Sequence, residues 1–156
     1  MQPRLMMKDE IEAVAALWHD TWHSAHDHLF PQALCEFRTK DFFRRRVDNE
    51  RETVCVFGAP GKPIGLCIVS HAHLDQLYVA PSERGKGVGE RLLADAEARM
   101  RESGITEANL YVALGNEGAF RFYERHSWID AGKVEKVLEV TNGSVTIMVC
   151  KMLKGL

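Results

Sequence analysis

The most informative segment of the chain is Leu77-Tyr78-Val79-Ala80-Pro81-Ser82-Glu83-Arg84-Gly85-Lys86-Gly87-Val88-Gly89-Glu90-Arg91-Leu92-Leu93. Its first residues predict the end of a strand, and the apolar spacing of Val88, Leu92 and Leu93 predicts a helix lying on a sheet. Three alternating glycines separate the strand from the helix: Gly85, Gly87 and Gly89. The stretch therefore predicts a strand, a glycine-rich turn and the start of a helix.

This glycine-rich turn is typical of an anion-binding site. The first N–H groups of a helix lack partners within it, and the helix dipole places about half a positive charge at that end. Glycines keep side chains away from a bound phosphate and allow positive φ angles. Arg84, Lys86 and Arg91 add positive charge, which Glu90 offsets in part. The spacing fits neither a dinucleotide fingerprint nor a P-loop, so the turn alone indicates only a phosphate site.

Upstream of this stretch, the pattern predicts two helical regions followed by strands. Apolar residues recur at helical spacing from about residue 10 to the low twenties, and again from Leu34 to a second helical end near Asp48. Short apolar runs then predict three strands of an antiparallel meander: 53–57, 63–70 and 73–79.

Downstream, the pattern predicts a strand over 109–113 and a helix over 116–126. Two further strands are joined at Asn142-Gly143, the strongest hairpin signal in the chain. With an optional strand at Leu5-Met6, the order is ααβββαβαββ, which predicts a single α/β (α+β) domain over residues 1–156.

The composition excludes several classes of protein. The chain has 156 residues and is 46% hydrophobic, which excludes intrinsic disorder and allows one buried core. Its 20 Lys and Arg residues against 22 Asp and Glu residues leave a net charge of −2, so no nucleic-acid partner is expected. No stretch has the apolar length of a transmembrane helix or the pattern of a signal peptide. We therefore expect no membrane association and a cytoplasmic location.

Two blocks of sequence carry a resemblance to a known family. Arg84-x-x-Gly87-x-Gly89, directly after a strand, resembles the acetyl-CoA signature of the GNAT superfamily of N-acetyltransferases. A second block, the segment 116–125, resembles the second CoA segment of that family, and the element order matches the family's fold along the whole chain. The chain departs from the family at Ser127, where these enzymes usually have glycine.

The resemblance implies a mixed, mostly antiparallel central sheet with helices on both faces, splayed at two parallel strands that end near Val79 and Ala113. It also implies that acetyl-CoA is the cofactor and that its pantetheine arm fills the gap like an added strand. A backbone N–H near the end of the first strand would polarise the thioester carbonyl. The implied cofactor-binding residues are Leu77, Tyr78 and Val79 through their backbone, Arg84, Gly85, Lys86, Gly87, Val88 and Gly89 in the turn, and Asn116, Ala119 and Phe122 on the following helix.

Acetylation of an amine needs a base, because an ammonium group has no lone pair with which to attack. Strict alternation along the strand would place His73 and Asp75 on the same face as Val79, which brings two titratable groups toward the cleft. Imidazole titrates near about pH 6.5 and a carboxyl group near about 3.9, so His73 is the preferred base and Asp75, directly or through water, the alternative. The resemblance places Tyr123 at the general-acid position, where it would protonate the leaving thiolate.

Residues 19–28 contain four histidines, which raises the question of a metal site. On a continuous helix His19, His23 and His26 would form one stripe, but no cluster of Cys or His downstream completes a site. The four cysteines show no metal-ligand spacing and are expected to be free thiols, and Cys55 and Cys67 fall on two neighbouring predicted strands where they could lie near each other. No metal is therefore predicted. The resemblance implies that the first two helices build the acceptor pocket, with Trp22, His26 and Phe30 as its walls.

The acceptor and the assembly stay open at this level. The resemblance implies transfer of acetyl from acetyl-CoA to a primary amine by direct attack in a ternary complex, the acceptor being a small molecule or a peptide. The alternatives are a CoA-binding sensor or partner-binding domain without activity, a nucleotide-binding module, and an enzyme that acts on protein N-termini or lysines. The run Arg44-Arg45-Arg46 is typical of a solvated helix face, and its alternative role is to favour an acidic acceptor. The last strands would also allow a homodimer.

Overall fold

A computed structural model describes all 156 residues. The strands are β1 (Arg4–Leu5), β2 (Val54–Ala59), β3 (Lys62–Ser70), β4 (His73–Val79), β5 (Glu107–Ala113), β6 (Ile129–Val140) and β7 (Gly143–Gly155). The helices are α1 (Ile11–His26), α2 (Gln32–Phe37), α3 (Lys40–Glu50), α4 (Val88–Glu102) and α5 (Glu117–Arg125). Each predicted strand and helix is therefore present, and β1 occupies the place of the optional first strand.

The strands form one seven-stranded sheet in the order β1-β2-β3-β4-β5-β7-β6. All neighbouring strands are antiparallel except β4 and β5, which run parallel and pair only at His73 and Asn109. Beyond that pair the two strands separate toward Val79 and Ala113. The predicted mixed sheet with a splay between two parallel strands is confirmed.

Each face of the sheet has its own hydrophobic core. Residues of α1 and α3, such as Trp18 and Phe43, pack on one face, which we call the α1/α3 face. Residues of α4, such as Leu92 and Met100, pack on the other face together with Trp128, and we call this the α4 face. β4 contributes side chains to both cores, with Tyr78 on the α1/α3 face and Leu77 and Val79 on the α4 face.

The second helical region differs from the prediction, because it is divided into α2 and α3. Arg38 ends α2 with a ψ angle of 63°, which is not helical. Thr39 then begins α3 by accepting a hydrogen bond from the Phe42 N–H on its side-chain oxygen (3.1 Å). A threonine at this position satisfies one of the free N–H groups at a helix start, so a new helix begins where the apolar spacing continues without a break.

A buried carboxylate fastens the start of the chain to the sheet. Glu10 is 1% exposed, and its two carboxylate oxygens accept hydrogen bonds from the two terminal nitrogens of Arg4, both at 2.8 Å. The backbone N–H groups of Met7 and Gly61 also donate to it, each at 2.8 Å. Glu10 therefore joins β1, the entry to α1 and the turn between β2 and β3.

Two of the four cysteines are neighbours in the sheet. Cys55 and Cys67 lie directly opposite each other on β2 and β3 and are free thiols, as are Cys35 and Cys150. None of the helices combines the length and the apolarity that crossing a bilayer takes.

Candidate active site

The edge of β4 that faces the splay carries backbone groups free to bind a ligand. The Ala80 N–H donates to the Ile64 carbonyl on β3 (2.8 Å), and hydrogen-bonding residues alternate along an antiparallel pair. Tyr78 therefore faces β3 through its backbone, whereas Leu77 and Val79 point theirs toward the gap. The Nε of Arg84 donates to the Val79 carbonyl (3.2 Å), which agrees with this orientation.

The glycine-rich turn connects this edge to α4. Gly85 and Gly87 have φ angles of 75° and 82°, a region that favours glycine, and Gly87 is the residue at which α4 begins. Gly89 has no such constraint, but it lines the cleft, and a side chain placed there would touch the Phe122 ring at 3.5 Å. The turn therefore presents the first N–H groups of a 15-residue helix to the cleft.

The opposite wall of the cleft is formed by the start of α5. Asn116 begins this helix, and its side-chain oxygen accepts a hydrogen bond from the Ala119 N–H (3.3 Å). Ala119, Phe122 and Tyr123 follow on the face that lines the cleft. One helical stripe thus places three of the predicted residues opposite the glycine-rich turn.

The cleft between these walls has a volume of about 790 Å³. Of the predicted cofactor-binding residues it contains Leu77, Tyr78, Val79, Arg84, Gly85, Gly87, Gly89, Asn116, Ala119 and Phe122. It does not contain Lys86, whose Nζ pairs with Glu83 (3.2 Å) at the surface, or Val88, which is buried in the core of the α4 face. The structure therefore brings most of these residues to one site.

Tyr123 is a buried tyrosine at the wall of this cleft. Its side chain is 8% exposed, and its ring packs against Trp128 at a centroid distance of 6.0 Å. Burial raises the pKa of Tyr123 well above its ordinary value, so the hydroxyl keeps its proton at neutral pH. A protonated hydroxyl in the cleft can donate a proton to a group that leaves as an anion.

Ser127, the residue at which the chain departs from the pattern of the family that it resembles, lies at the end of α5, close to Tyr123. The Trp128 N–H donates to the Tyr123 carbonyl, and the Ser127 N–H donates to the Glu124 carbonyl, each at 3.0 Å. This pair of bonds is a Schellman motif, which requires a left-handed residue, and Ser127 has a φ angle of 68°. Serine thus adopts the conformation for which glycine is favoured, and the helix end keeps its geometry.

The structure places His73 and Asp75 differently from the prediction. Ile68 of β3 pairs with Gln76 and Val69 pairs with Leu74, so Asp75 is the extra residue of a β-bulge. The prediction of strict alternation is therefore wrong, since the bulge changes the face of the strand on which each preceding side chain lies. Neither His73 nor Asp75 lines the cleft.

Both side chains instead lie on the α1/α3 face, within a chain of polar contacts. Asp75 accepts a hydrogen bond from Arg46 of α3 (3.2 Å) and lies 3.7 Å from the Nε2 of His73. The Nδ1 of His73 lies 2.6 Å from the side-chain oxygen of Asn109. The two predicted base residues are therefore neighbours, at the point where β4 and β5 begin to separate.

The three predicted acceptor residues form an aromatic cluster beside the cleft. His26 stacks on Phe30 with ring centroids 4.8 Å apart and lies 5.0 Å from the Trp22 ring and 6.3 Å from the ring of Tyr78, which does line the cleft. Burial lowers the pKa of His26 to about 4, so this side chain is uncharged at neutral pH. None of the three predicted residues lines the cleft itself.

Several residues that line the cleft were not predicted from the sequence. Ser24, Ala25 and His28 line the cleft from the end of α1 and the loop after it. Ser24 and Ala25 lie on α1 between the buried Trp22 and His26, and His28 lies in the loop that follows the helix. Gly115 is another lining residue, and two features favour glycine there. Its φ angle is 93°, and an added methyl group would lie 2.7 Å from the Leu29 side chain.

The histidines of α1 are occupied by other contacts. His19 and His23 have ring centroids 4.5 Å apart, and the Nδ1 of His23 lies 2.6 Å from a carboxylate oxygen of Asp27. The Nε2 of His23 lies 2.6 Å from the Arg38 carbonyl oxygen. These contacts attach α1 to the end of α2.

The cleft fits the cofactor that the sequence predicts. Its free strand edge can pair with an extended amide-bearing arm, and its helix start with two positive-φ glycines can receive phosphate oxygens. Arg84 and Arg125 add positive charge, and Glu90 and Glu117 add negative charge at the rim.

Comparisons with known proteins agree with this geometry. The family model described as "Acetyltransferase (GNAT) family" matches residues 11–128. The peptidyl-lysine N-acetyltransferase YjaB of Escherichia coli (strain K12) is 30% identical over 129 residues, covering 81% of this chain and 81% of that protein. The spermidine N(1)-acetyltransferase of Thermoplasma acidophilum is 38% identical over 81 residues, covering 52% of this chain and only 45% of that protein.

A solved structure shows the same fold. The crystal structure of PaiA N-acetyltransferase from Thermoplasma acidophilum, in complex with coenzyme A, matches with a TM-score of 0.71 and 21% identity, covering 99% of this chain and 98% of that chain. Because the family model spans most of the chain, from α1 to the end of α5, the chain belongs to the GNAT family of acetyltransferases, whose co-substrate is acetyl-CoA.

Proposed function

We propose that this enzyme transfers the acetyl group of acetyl-CoA to a primary amine that attacks directly in a ternary complex. The observation that carries the proposal is the splay, because β4 and β5 pair only at His73 and Asn109 and leave the backbone of Leu77 and Val79 facing a cleft. The curated relatives are named for spermidine and for peptidyl-lysine, both of which are amine acceptors. None of the cysteines lines the cleft, which favours direct attack over an acyl-enzyme.

The residues of the cleft have separate roles in this proposal. Bound acetyl-CoA supplies the acetyl group as a thioester. Leu77 and Val79 hold the extended arm through their backbone, and one of their N–H groups stabilises the negative charge that develops on the carbonyl oxygen. The N–H groups of the glycine-rich turn bind the pyrophosphate. Burial raises the pKa of Tyr123, so its hydroxyl is protonated at neutral pH and carries at Oη the proton that the departing sulfur takes up.

The base is the pair formed by His73 and Asp75, with His73 preferred. Their 3.7 Å separation and their position where the strands begin to part support this assignment. Because neither side chain lines the cleft, the proton would reach them through water. His73→Gln is expected to lower kcat/KM by roughly a hundredfold. An unchanged kcat/KM would exclude His73 as the base.

Thermal unfolding with and without acetyl-CoA tests the cofactor. At about 100 times Kd a ligand of the native state adds about 2.7 kcal/mol, which raises the midpoint by about 5–10 °C in a chain of this size. NAD and ATP at the same concentration are the controls for a nucleotide-binding module. An equal shift with NAD or ATP, or no shift with acetyl-CoA, would contradict the proposal.

Gly89→Ala separates cofactor binding from folding. A methyl group at Gly89 would lie 3.5 Å from the Phe122 ring and 3.6 Å from the Val79 side chain, which are ordinary contacts, and alanine is favoured in a helix. The variant should therefore fold without loss of stability. Because its methyl group occupies the cleft, the rise in the unfolding midpoint that acetyl-CoA causes should be smaller than in the wild type. Gly155→Ala is the matched control, because nothing lies within 4 Å of its added methyl group and it is outside the cleft.

Tyr123→Phe separates an enzyme from a CoA-binding domain without activity. Removal of the hydroxyl should leave the acetyl-CoA shift unchanged and lower kcat on the order of a hundredfold, measured as free CoA thiol released in the presence of an amine panel. A wild-type protein that binds acetyl-CoA but acetylates no amine would instead be the non-catalytic alternative.

The homodimer through the last strands and the cytoplasmic location stay predictions.

A further inference from the structure

One cation beside the cleft has no carboxylate partner. The Arg38 guanidinium lies 4.4 Å from the centroid of the Phe42 ring and 5.6 Å from that of Trp22, and its Nε is buried without a hydrogen bond. No salt bridge within 4.0 Å involves Arg38, although it is half-buried. A cation in this position loses hydration without gaining an anion, and stacking on two rings offsets only part of that loss.

The neighbouring arginines of α3 are already paired. Arg44 contacts Glu12 at 2.6 Å, and Arg45 contacts Asp41 at 3.2 Å. Arg46 contacts both Glu50 and Asp75. The run that the sequence offered as an alternative acidic-acceptor site is therefore neutralised within the protein, and Arg38 is the arginine of this region that stays free.

Arg38 does not line the cleft, but it contacts the aromatic cluster beside it. Its guanidinium lies over Trp22, the Trp22 ring lies 5.0 Å from His26, and His26 lies 6.3 Å from Tyr78, which lines the cleft. Arg38 therefore lies on the side of the splay that faces α1 and α2, away from the glycine-rich turn.

The other charges on this side do not cancel Arg38. Asp75, where the splay begins, is held by Arg46 and His73. Lys136 adds a second cation, with its Nζ 4.2 Å from the centroid of the Tyr111 ring, which in turn lies 5.2 Å from His73. Arg38 and Lys136 are thus two cations on this side that have no carboxylate within salt-bridge distance.

We infer that the acceptor amine carries a carboxylate group and that Arg38 binds it. A guanidinium group presents two parallel N–H donors that match a carboxylate, and the surrounding rings fix its plane. A polyamine or a lysine-rich peptide would instead bring positive charge toward Arg38 and Lys136. This inference rests on the proposed amine transfer and names its substrate class as carboxylate-bearing amines, such as amino acids or acidic peptides.

Matched acceptors test the inference. Amino acids, including the two dicarboxylic ones, are compared with their α-amides and with spermidine, and kcat/KM is measured from the release of free CoA thiol. We expect the carboxylates to be preferred by at least about tenfold, the factor that corresponds to one charge-assisted contact. Amidation also lowers the pKa of the amine, so more of the amide is in the neutral form that attacks. This effect favours the amides and therefore works against the expected preference for carboxylates.

The variants then assign the preference to Arg38. Arg38→Gln should remove most of the preference through KM, with little change for the amides, and Arg38→Lys should retain part of it because the charge remains. Arg45→Gln is the matched control, since that arginine is exposed and paired with Asp41, and it should keep the full preference. Urea unfolding of each variant shows whether the stacking of Arg38 on Phe42 is needed for the fold.

The outcomes separate this inference from the proposed function. If spermidine or the amides are preferred, or if Arg38→Lys and Arg38→Gln lower activity equally on all acceptors, the inference fails and the amine transfer stands. If acetyl-CoA gives no thermal shift, or if no amine in the panel is acetylated, the proposed function fails and the inference fails with it.

Discussion

Replacing Glu10 by glutamine should cost the protein about 3 kcal/mol of stability near neutral pH. Arg4, first, and the N–H groups of Met7 and Gly61 lower the pKa of Glu10 to about 2, from an ordinary value of 4.5. A carboxylate with a pKa lowered by that amount contributes about 3 kcal/mol to folding once it is ionised in both states. Glutamine removes the charge and leaves Arg4 without its partner.

The pH dependence gives this prediction its sign. Because folding lowers the pKa of Glu10, its contribution is complete above about pH 4.5 and is lost as the pH falls through about 2. The variant has no carboxyl group at this position and no such dependence. The difference in unfolding free energy between wild type and Glu10→Gln should therefore be constant from about pH 7 to about 5 and shrink below that.

Urea unfolding followed by tryptophan fluorescence measures both effects. A loss of about 3 kcal/mol lowers the thermal midpoint by about 6–12 °C in a chain of this size. Glu12→Gln is the matched control, because Glu12 is 76% exposed and pairs with Arg44 at the surface, where the expected change is below about 1 kcal/mol. A loss below about 1 kcal/mol for Glu10→Gln, or a difference that persists unchanged at about pH 2, would show that the buried ion pair does not stabilise the fold in this way.

Three further substitutions test other parts of the fold by urea unfolding. Ser127→Gly should stabilise the protein by about 1 kcal/mol, since Ser127 has a φ angle of 68°, and a loss of stability would show that the serine side chain is needed. Gly65→Ala should destabilise it by about 1–3 kcal/mol, because the added methyl group would lie 2.8 Å from the Leu92 side chain, and a neutral result would mean that the core can adjust. Glu97→Gln should cost about 2–3 kcal/mol of stability, because Lys154 contacts both buried carboxylate oxygens at 2.8 and 2.9 Å. Lys154→Met should cost a similar amount if the two side chains stabilise the fold only as a pair, and a negligible loss in both variants would contradict the prediction.

The cofactor side of the site was accessible to sequence reasoning because its signals are local. Gly87 begins α4 with a positive φ angle, and that requirement is written in a few consecutive residues. Ala119 and Tyr123 share a helix face because they are four residues apart, whatever packs around them. Local geometry of this kind depends on neighbours in the chain, so it can be predicted without knowing the fold.

The acceptor side depended on contacts between distant segments. The bulge at Asp75 exists because β3 and β4 pair out of step, which no pattern within β4 reveals. The break at Arg38 interrupts a continuous apolar spacing, and it places a free guanidinium over Trp22. Trp22 and His26 have the rings that a pocket wall requires, but burial of those rings in the core turns their neighbours Ser24 and His28 toward the cleft.

The amino-acid sequence was enough to predict the order of elements, the glycine-rich turn, the capped start of α5 and, through two motifs, the family. These properties follow from backbone preferences and side-chain spacing over a few residues. Three features arise instead from the packing of the folded chain: β4 and β5 pair at a single point, His73 and Asp75 turn toward the α1/α3 face, and Arg38 has no partner. Strand register, side-chain burial and charge pairing are set by segments far apart in the chain, so they arise only when the chain folds.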